Sequence, residues 1–224
     1  MSPETQRPLR ADAERNRRLI MTTADRLFAR RGATVPLNEI AREAGLGVGT
    51  VYRRFPDLQA LVDALFTERF AVFLHLAATA AEQPDPAGAL RHYLLEAARM
   101  RAEDRALEVV LANADFTKGT TARTRDRLGR LVDGLVARAV AAGAVREDFA
   151  SADVYAFLYM IGAVADRTND VAPDAWRRYA EALMVGFGLD PAPAPHPTAM
   201  TDDQLLDSWP KPSGGQDQGL SGGS

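Results

Sequence analysis

The chain of 224 residues contains no cysteine, three histidines and only two lysines, against 25 arginines. The absence of cysteine excludes a disulfide framework and any thiolate metal or redox site, and it is typical of a reducing compartment. The three histidines, His75, His92 and His196, are too far apart in the sequence to suggest a metal site. We therefore expect no metal and no other cofactor.

Long hydrophobic runs are also absent. The most apolar stretch, residues 154–165, is too short to span a bilayer. The polar, charged N-terminus has no apolar segment of the kind found in signal peptides. We therefore expect a soluble cytoplasmic protein with no membrane partner.

Motifs of common enzyme classes are absent as well. The sequence has no HExxH, no G-x-S-x-G and no cysteine nucleophile. The glycine-rich stretch at residues 45–49 follows a helical pattern rather than a strand, which argues against a nucleotide-binding loop. We expect no catalytic residues, although an enzyme remains the alternative from a different functional class.

No segment alternates polar and apolar residues as strands do, so the predicted fold is all-α. Four regions are expected: a disordered arm at 1–9, a first helical domain at 10–57, a second helical domain at 58–189, and a mostly disordered tail at 190–224. The long predicted helix 58–82 would connect the two domains. Helices outside the 37–55 hairpin are predicted at 10–31, 58–82, 86–103, 105–116, 120–142, 151–167 and 173–188, with a further short one at 201–209 that docks through Leu205, Leu206 and Trp209.

The stretch LNEIAREAGLGVGTVYRRF, residues 37–55, predicts two short helices joined by a tight turn. Gly45 suits the left-handed conformation that ends a helix. Ala41 is small enough for the second helix to cross closely over the first, and Val51 and Phe55 lie four residues apart on the inner side of the second helix. These features indicate a helix-turn-helix, whose second helix lies in the major groove of DNA.

The outer face of the second helix carries side chains that can reach phosphates and base edges. An ordinary helical hairpin would need the same glycine turn and apolar plugs, so that alternative stays open. The candidate DNA-binding residues are Val48, Gly49, Thr50, Tyr52, Arg53 and Arg54.

Charge is distributed unevenly between the two predicted domains. Residues 1–55 contain eleven arginines and six acidic residues, a balance of +5, so the remainder carries -3 - 5 = -8. We call residues 10–57, the expected DNA-binding domain, the head, and residues 58–189, the expected helical regulatory and dimerisation domain, the body. A basic head on an acidic body is typical of a DNA-binding protein with a separate sensing or assembly domain. A solvated, charged first helix would give the same balance.

The last two predicted helices are apolar on more than one side, which predicts burial on more than one side. Either they form the core of one protomer, or they meet a second copy in a four-helix bundle, which we favour. The candidate interface residues are Phe157, Ile161, Trp176, Leu183 and Phe187.

The head resembles the TetR/AcrR family of bacterial transcription regulators. The resemblance is carried by IAREAG at 40–45, GTVYRRF at 49–55 and Leu61. Two positions depart from the family pattern: Pro36 replaces the usual capping Ser or Thr, and Leu58 replaces a phosphate-binding Lys. The body is broadly similar to the SbtR-like C-terminal domain.

This resemblance implies a homodimeric repressor that is released from a palindromic double-stranded operator by a small-molecule effector. It also implies a ligand pocket in the body. The two departures keep open a helical adaptor of the same fold that has lost operator binding. Candidate pocket residues, each of which is also interpretable as core or surface, are Phe66, Phe70, Phe73, His75, Arg101, Asn113, Arg130, Tyr159 and Asp166.

Overall fold

The structure is a computed structural model that describes residues 3–104, 106–117, 119–189 and 198–209, with side chains from residue 11 onward. Over these residues the chain forms ten α-helices and no strand, which confirms the predicted all-α fold. The helices are α1 (Pro3–Arg31), α2 (Leu37–Glu43), α3 (Val48–Arg54), α4 (Leu58–Ala81), α5 (Pro86–Glu103), α6 (Leu107–Asn113), α7 (Gly119–Ala141), α8 (Ser151–Thr168), α9 (Ala175–Gly186) and α10 (Asp202–Asp207).

The two ends of the chain differ from the sequence-based expectation. Helix α1 begins at Pro3, so the prediction of a disordered arm is wrong from that residue onward. Part of the predicted tail is ordered as α10, where Thr201 and Gln204 form a capping box. The prediction of disorder at 190–197 and 210–224 lies outside the described residues.

Helices α1 to α3 and the first turns of α4 enclose one hydrophobic core, which we call the head core. Ile20, Ala24 and Phe28 of α1 are fully or almost fully buried there at helical spacing. Asp57 caps α4, because its carboxylate accepts a hydrogen bond from the N–H of Ala60 at 2.7 Å. The head is thus a three-helix unit from which α4 leads into the rest of the protein.

The remaining helices enclose the body core, with α5 at the centre. Helix α5 packs against α4, α7, α8 and α9. Its N-terminus is fixed by Asp85, whose carboxylate accepts hydrogen bonds from the N–H groups of Ala87 and Gly88. Small residues at Ala89, Ala97 and Ala98 are buried on α5 and allow this close packing.

Helix α4 belongs to both cores, as its predicted length suggested. Leu61, Leu65 and Phe66 lie in the head core, whereas Phe73 and Ala77 lie in the body core. A shift of α4 would therefore move the head relative to the body.

The predicted dimer residues are mainly interior ones. Phe157 and Ile161 are 0% exposed and Trp176 is 3% exposed, so the prediction that they form a surface is wrong. Leu183 and Phe187 are half-buried and pack against the same core. The apolar stripe on α8 and α9 is the side that faces the protomer interior, and periodicity alone could not distinguish it from a surface that faces a partner.

Helix α10 docks differently from the prediction. The Gln204 side-chain amide donates to the carbonyl of Val171 at 3.2 Å, and Ser208 is buried. Leu205, Leu206 and Trp209 are 43%, 61% and 60% exposed, so none of the three predicted docking residues is buried. None of the described helices is both long and apolar enough to cross a membrane.

Candidate DNA-binding surface and ligand cavity

The turn between α2 and α3 has the geometry of a helix-turn-helix. Gly45 has a φ of 65°, a left-handed conformation that side chains disfavour. The N–H of Leu46 donates to the carbonyl of Ala41 at 3.0 Å, which closes the turn. Ala41 is completely buried, consistent with a close crossing of the two helices.

Helix α3 divides cleanly into a buried and an exposed side. Val51 within it and Phe55 at its C-cap are buried in the head core. Tyr52 is 45% exposed on the opposite side. The other predicted DNA-binding residues on this side are exposed Val48, Gly49, Arg53 and Arg54 and half-buried Thr50. All six predicted residues are thus brought together on one short helix.

The side chains on this outer face are partly pre-arranged. One guanidinium N–H of Arg53 donates to Thr50 Oγ1 at 3.1 Å, one helical turn earlier. Arg17 of α1 lies 5.5 Å above the ring of Phe55, which places a second cation next to the C-terminal end of α3. The α3 face therefore presents hydroxyl, aromatic and guanidinium groups, the chemistry that reads phosphates and base edges.

The two departures from the family pattern have clear local consequences. Pro36 occupies the N-cap of α2 and provides no side-chain cap, so the first N–H groups of the helix bond only to its backbone carbonyl. Leu58 is half-buried against the head core instead of reaching outward. Neither position supplies a side-chain phosphate ligand.

An ion pair holds the end of α1 to α2. Arg31 donates to both carboxylate oxygens of Glu39, at 2.5 and 3.3 Å. This hydrogen bond is the main reason that the pKa of Glu39 lies below its ordinary value and that of Arg31 above it. Arg31 therefore stabilises the head itself.

A cavity of about 630 Å³ lies in the body between α4, α5, α6, α7 and α8. Its size is that of pockets that bind drug-sized ligands. The lining consists of Phe70, Phe73, Tyr93, Arg101, Leu107, Glu108, Leu111, Phe116, Arg125, Asp126, Leu128, Gly129, Arg130, Asp133, Tyr155, Leu158 and Tyr159.

Five of the predicted pocket residues line this cavity: Phe70, Phe73, Arg101, Arg130 and Tyr159. They come from four helices and are brought together only by the fold.

The other four predicted pocket residues lie elsewhere. Phe66 is in the head core, where its ring stacks on Phe70 with centroids 4.0 Å apart. Asp166 is outside the lining but pairs with Arg101, and the Asn113 amide donates to the carbonyl of Val109. His75 is exposed on α4. None of these four residues lines the cavity, although Phe66 and Asp166 each contact a residue that does.

Sequence reasoning missed the two tyrosines of the lining that have perturbed pKa values. Burial is the main cause that raises the pKa of both Tyr93 and Tyr155. Each hydroxyl group can donate or accept a hydrogen bond. Helical periodicity gave no signal for either, because an apolar helical face looks the same whether it meets a core or a cavity.

Helix α6 connects the cavity to the head. Leu107 and Leu111 line the cavity, whereas Val110 is completely buried in the head core. At the end of α6, the carbonyl of Asn113 accepts a hydrogen bond from Gln59 of α4 at 3.1 Å. One short helix therefore contacts the ligand cavity on one side and the head on the other.

Arg69 of α4 forms a second connection. Its guanidinium donates to Asp25 of α1 at 2.8 Å and to Asp104 at 2.6 Å. Asp104 also accepts a hydrogen bond from the N–H of Ala106 at 3.1 Å, just before α6 begins. The Arg69 side chain is only 13% exposed, whereas those of Asp25 and Asp104 are 35% and 30% exposed. The Asp25–Arg69–Asp104 bridge thus joins α1 of the head, α4, and the segment just before α6, which lines the cavity.

Known proteins share both parts of this architecture. Residues 20–65 match the family model of bacterial regulatory proteins of the tetR family, and residues 85–188 match that of the SbtR-like transcriptional regulator C-terminal domain. A TetR transcription regulatory protein from Mycobacterium vanbaalenii is 32% identical, with a TM-score of 0.53, over 81% of this chain and 100% of that one. The chain belongs to the TetR family. Its members are transcription regulators rather than enzymes.

Two further proteins are similar to this chain, one over the head and one in the fold. An HTH-type transcriptional regulator of Staphylococcus aureus (strain USA300) is 36% identical over 67 residues, 30% of this chain. The chain thus matches only 36% of the length of this curated relative. A tetR-family regulatory protein from Rhodococcus RHA1 shares the fold at 21% identity and a TM-score of 0.64, over 78% of this chain and 98% of that one.

Proposed function

We propose that this TetR-family protein is a DNA-binding transcriptional repressor that acts as a two-fold dimer and leaves a palindromic operator when a small molecule occupies the body cavity. The observation that carries this proposal is the exposed face of α3. It combines Tyr52, Arg53 and Arg54 on a helix whose opposite side is fixed by Val51 and Phe55. Among the described residues, the one hydrogen bond on this face joins Arg53 to Thr50 within α3 itself.

Two copies of α3 would occupy successive major grooves of the operator. In a two-fold dimer their separation must be close to one turn of DNA, roughly 34–36 Å. Arg54 and Arg17 would supply phosphate contacts and salt dependence. Thr50, Tyr52, Arg53 and the Val48–Gly49 corner would provide most of the sequence choice.

The dimer would form through the exposed side of α8 and α9. Tyr159 and Met160 of α8 are 59% and 42% exposed, and Tyr179 and Val185 of α9 are also exposed. Large apolar side chains grouped on adjacent helices are typical of an interface rather than of a solvated surface. Two such helix pairs would form a four-helix bundle around the two-fold axis.

Ligand binding would release the operator by moving α6 and α4. A ligand that displaces Leu107 or Leu111 would move α6, which packs into the head core through Val110. The resulting change in head spacing would weaken operator binding. A coupling of about 1–3 kcal/mol is enough to change affinity roughly 5–150-fold.

The second candidate is a helical adaptor of the same fold that has lost operator binding. It is favoured by Pro36 and Leu58, which leave α2 and α4 without the side-chain phosphate ligands usual at these positions. The two candidates differ in whether the purified protein shifts DNA.

A gel-shift assay on the DNA upstream of its own gene tests the proposal. Arg53→Ala is expected to weaken binding at least about thirtyfold, since each of two heads loses a contact worth about 1–3 kcal/mol. Sedimentation should show an unchanged dimer, because Arg53 lies outside both cores. Arg99→Ala is the matched control: among the described residues, Arg99 pairs with Glu96 and Glu103 of its own helix, so DNA binding should be unchanged.

Two results would contradict the proposal. Absence of any wild-type shift at low salt would favour the adaptor. Loss of the dimer in Arg53→Ala would show that Arg53 has a structural role.

A further inference from the structure

We infer that the cavity takes an uncharged amphiphile: a long apolar body with a single hydrogen-bond acceptor, such as a ketone or ester carbonyl, that meets Arg101. This inference rests on the proposed function, because it names the class of ligand for the same cavity.

The deep part of the cavity is apolar and aromatic. Phe73, Leu107 and Leu128 are buried lining residues, and the ring of Phe70 lies 5.5 Å from that of Phe73. Tyr93 is 1% exposed, and burial raises the pKa of its hydroxyl group further above the ordinary value. A ligand gains most in this region by removing apolar surface from water.

Arg101 is the only charged lining residue that is buried, with 5% of its surface exposed. Its guanidinium is held in place by Asp166, with Nη2 and Oδ2 2.7 Å apart. It lies so close to α8 that a Cβ built on Gly162 would be 2.4 Å from Cζ of Arg101. Arg101 is therefore held in a fixed position at the wall.

Arg101 uses only some of its hydrogen-bond donors. A guanidinium has five N–H donors, and Asp166 accepts one hydrogen bond from each of the two terminal nitrogens of Arg101. No other hydrogen bond links Arg101 to the described residues, which leaves three of its five donors without an acceptor among them. A carbonyl oxygen of the ligand would satisfy one of them.

The surrounding charges disfavour a charged ligand. Glu108 lies 3.8 Å from the same guanidinium nitrogen that contacts Asp166, so the Arg101 cluster has one positive and two negative groups. An anionic head group at Arg101 would face a cluster of net negative charge, and a cationic ammonium group has no lone pair with which to accept a hydrogen bond from the guanidinium. At the exposed mouth the lining charges cancel: Arg125 and Arg130 oppose Asp126 and Asp133.

Three ten-carbon probes test the inference: 2-decanone, decanoate and decylamine. Each is titrated calorimetrically into the full-length protein, and melting temperatures are recorded in parallel. 2-Decanone is expected to bind at least about tenfold more tightly than either charged probe. Tighter binding of decanoate or decylamine would overturn the inference, and so would failure of all three to bind.

A matched pair of glycine substitutions tests the role of Arg101. Gly162→Ala places a methyl group where the guanidinium lies and must displace it, whereas Gly134→Ala of α7 meets nothing within 4 Å and does not line the cavity. We expect 2-decanone affinity to fall about tenfold in Gly162→Ala and to stay unchanged in Gly134→Ala. Arg101→Met, which removes the donors without filling the wall, should give the same loss. If neither Gly162→Ala nor Arg101→Met changes the affinity, Arg101 is not the polar contact and the inference fails.

The outcome can be separated from that of the proposed function. Binding of 2-decanone without release from the operator would support the ligand class and contradict the release mechanism. An operator shift with no preference for the neutral probe would support DNA binding and overturn the ligand class.

Discussion

In the head, the candidate functional side chains point outward from a small core, whereas in the body they point inward to a cavity. Tyr52 and Arg53 lie on one helix of seven residues, backed by Val51. The cavity draws on α4, α5, α6, α7 and α8, from Phe70 to Tyr159. A surface can thus be built from one continuous segment, but a cavity requires several distant segments to be packed together.

This difference explains how the two regions would tolerate change. Substitution of an exposed α3 residue leaves the head core intact, so specificity for DNA can change without loss of the fold. Substitution in the cavity wall alters packing as well as binding, because Phe73, Leu107 and Leu128 belong to the body core as well as to the lining. The body should therefore respond to ligand and to mutation through the same contacts.

Phe157→Ala should have the largest effect on stability. It tests whether this side of α8 faces the interior of the protomer. Phe157 is completely buried, and its ring lies 6.2 Å from that of Phe187. We expect the free energy of unfolding to fall by about 3–5 kcal/mol, the usual cost of removing a buried aromatic ring. Chemical denaturation at several protein concentrations measures it.

Met160→Ala is the comparison variant, since Met160 is on the same helix but 42% exposed. It should leave protomer stability nearly unchanged and weaken the dimer. If Phe157→Ala instead dissociates the dimer without loss of protomer stability, the burial of α8 described above is wrong.

Arg69→Gln should break the link between the two regions at an intermediate cost. It removes the hydrogen bonds to Asp25 and Asp104, worth about 1–3 kcal/mol in total because both carboxylates are about one third exposed. The head would then move more freely relative to the cavity wall.

The absence of cysteine provides a clean background for measuring that motion. A spin label on Asn38→Cys, an exposed position of α2, reports the distance between the heads of a dimer. The distance distribution should broaden in Arg69→Gln and stay narrow in Arg99→Gln, whose ion pairs lie within α5. Equal distributions in all three proteins would show that Arg69 does not position the head.

The sequence was sufficient for the head because each critical residue there has a local role. Gly45 is required by a turn conformation, Ala41 by a helix crossing, and Val51 and Phe55 by the period of one helix. Most helix bounds in the body also followed from local signals, such as Asp85 before α5 and Gly143 after α7. Those signals depend on neighbours in the chain, so they can be read without tertiary structure.

The cavity could be predicted only in part, since its membership depends on which helical faces meet. Arg130 and Asp166 stood out because a charge among apolar residues needs a partner; Arg130 lines the cavity, whereas Asp166 lies outside the lining and pairs with Arg101. Tyr93 and Leu128 did not, because nothing local distinguishes a cavity wall from a packed core. The same ambiguity placed Phe157 and Ile161 on a predicted interface although both are interior.

Glu39→Gln should give the smallest effect, confined to the head and to acidic pH. Arg31 lowers the folded-state pKa of Glu39 below its ordinary value of 4.5, so the ion pair contributes stability above that pH and loses it as the pH falls through the lower folded value. Wild type should therefore be the more stable protein at neutral pH, and the two proteins should converge in acid. Thermal unfolding followed from neutral to acidic pH measures this. A difference that persists or grows in acid would mean that Glu39 acts through packing rather than charge, and that the α1–α2 junction does not depend on the ion pair.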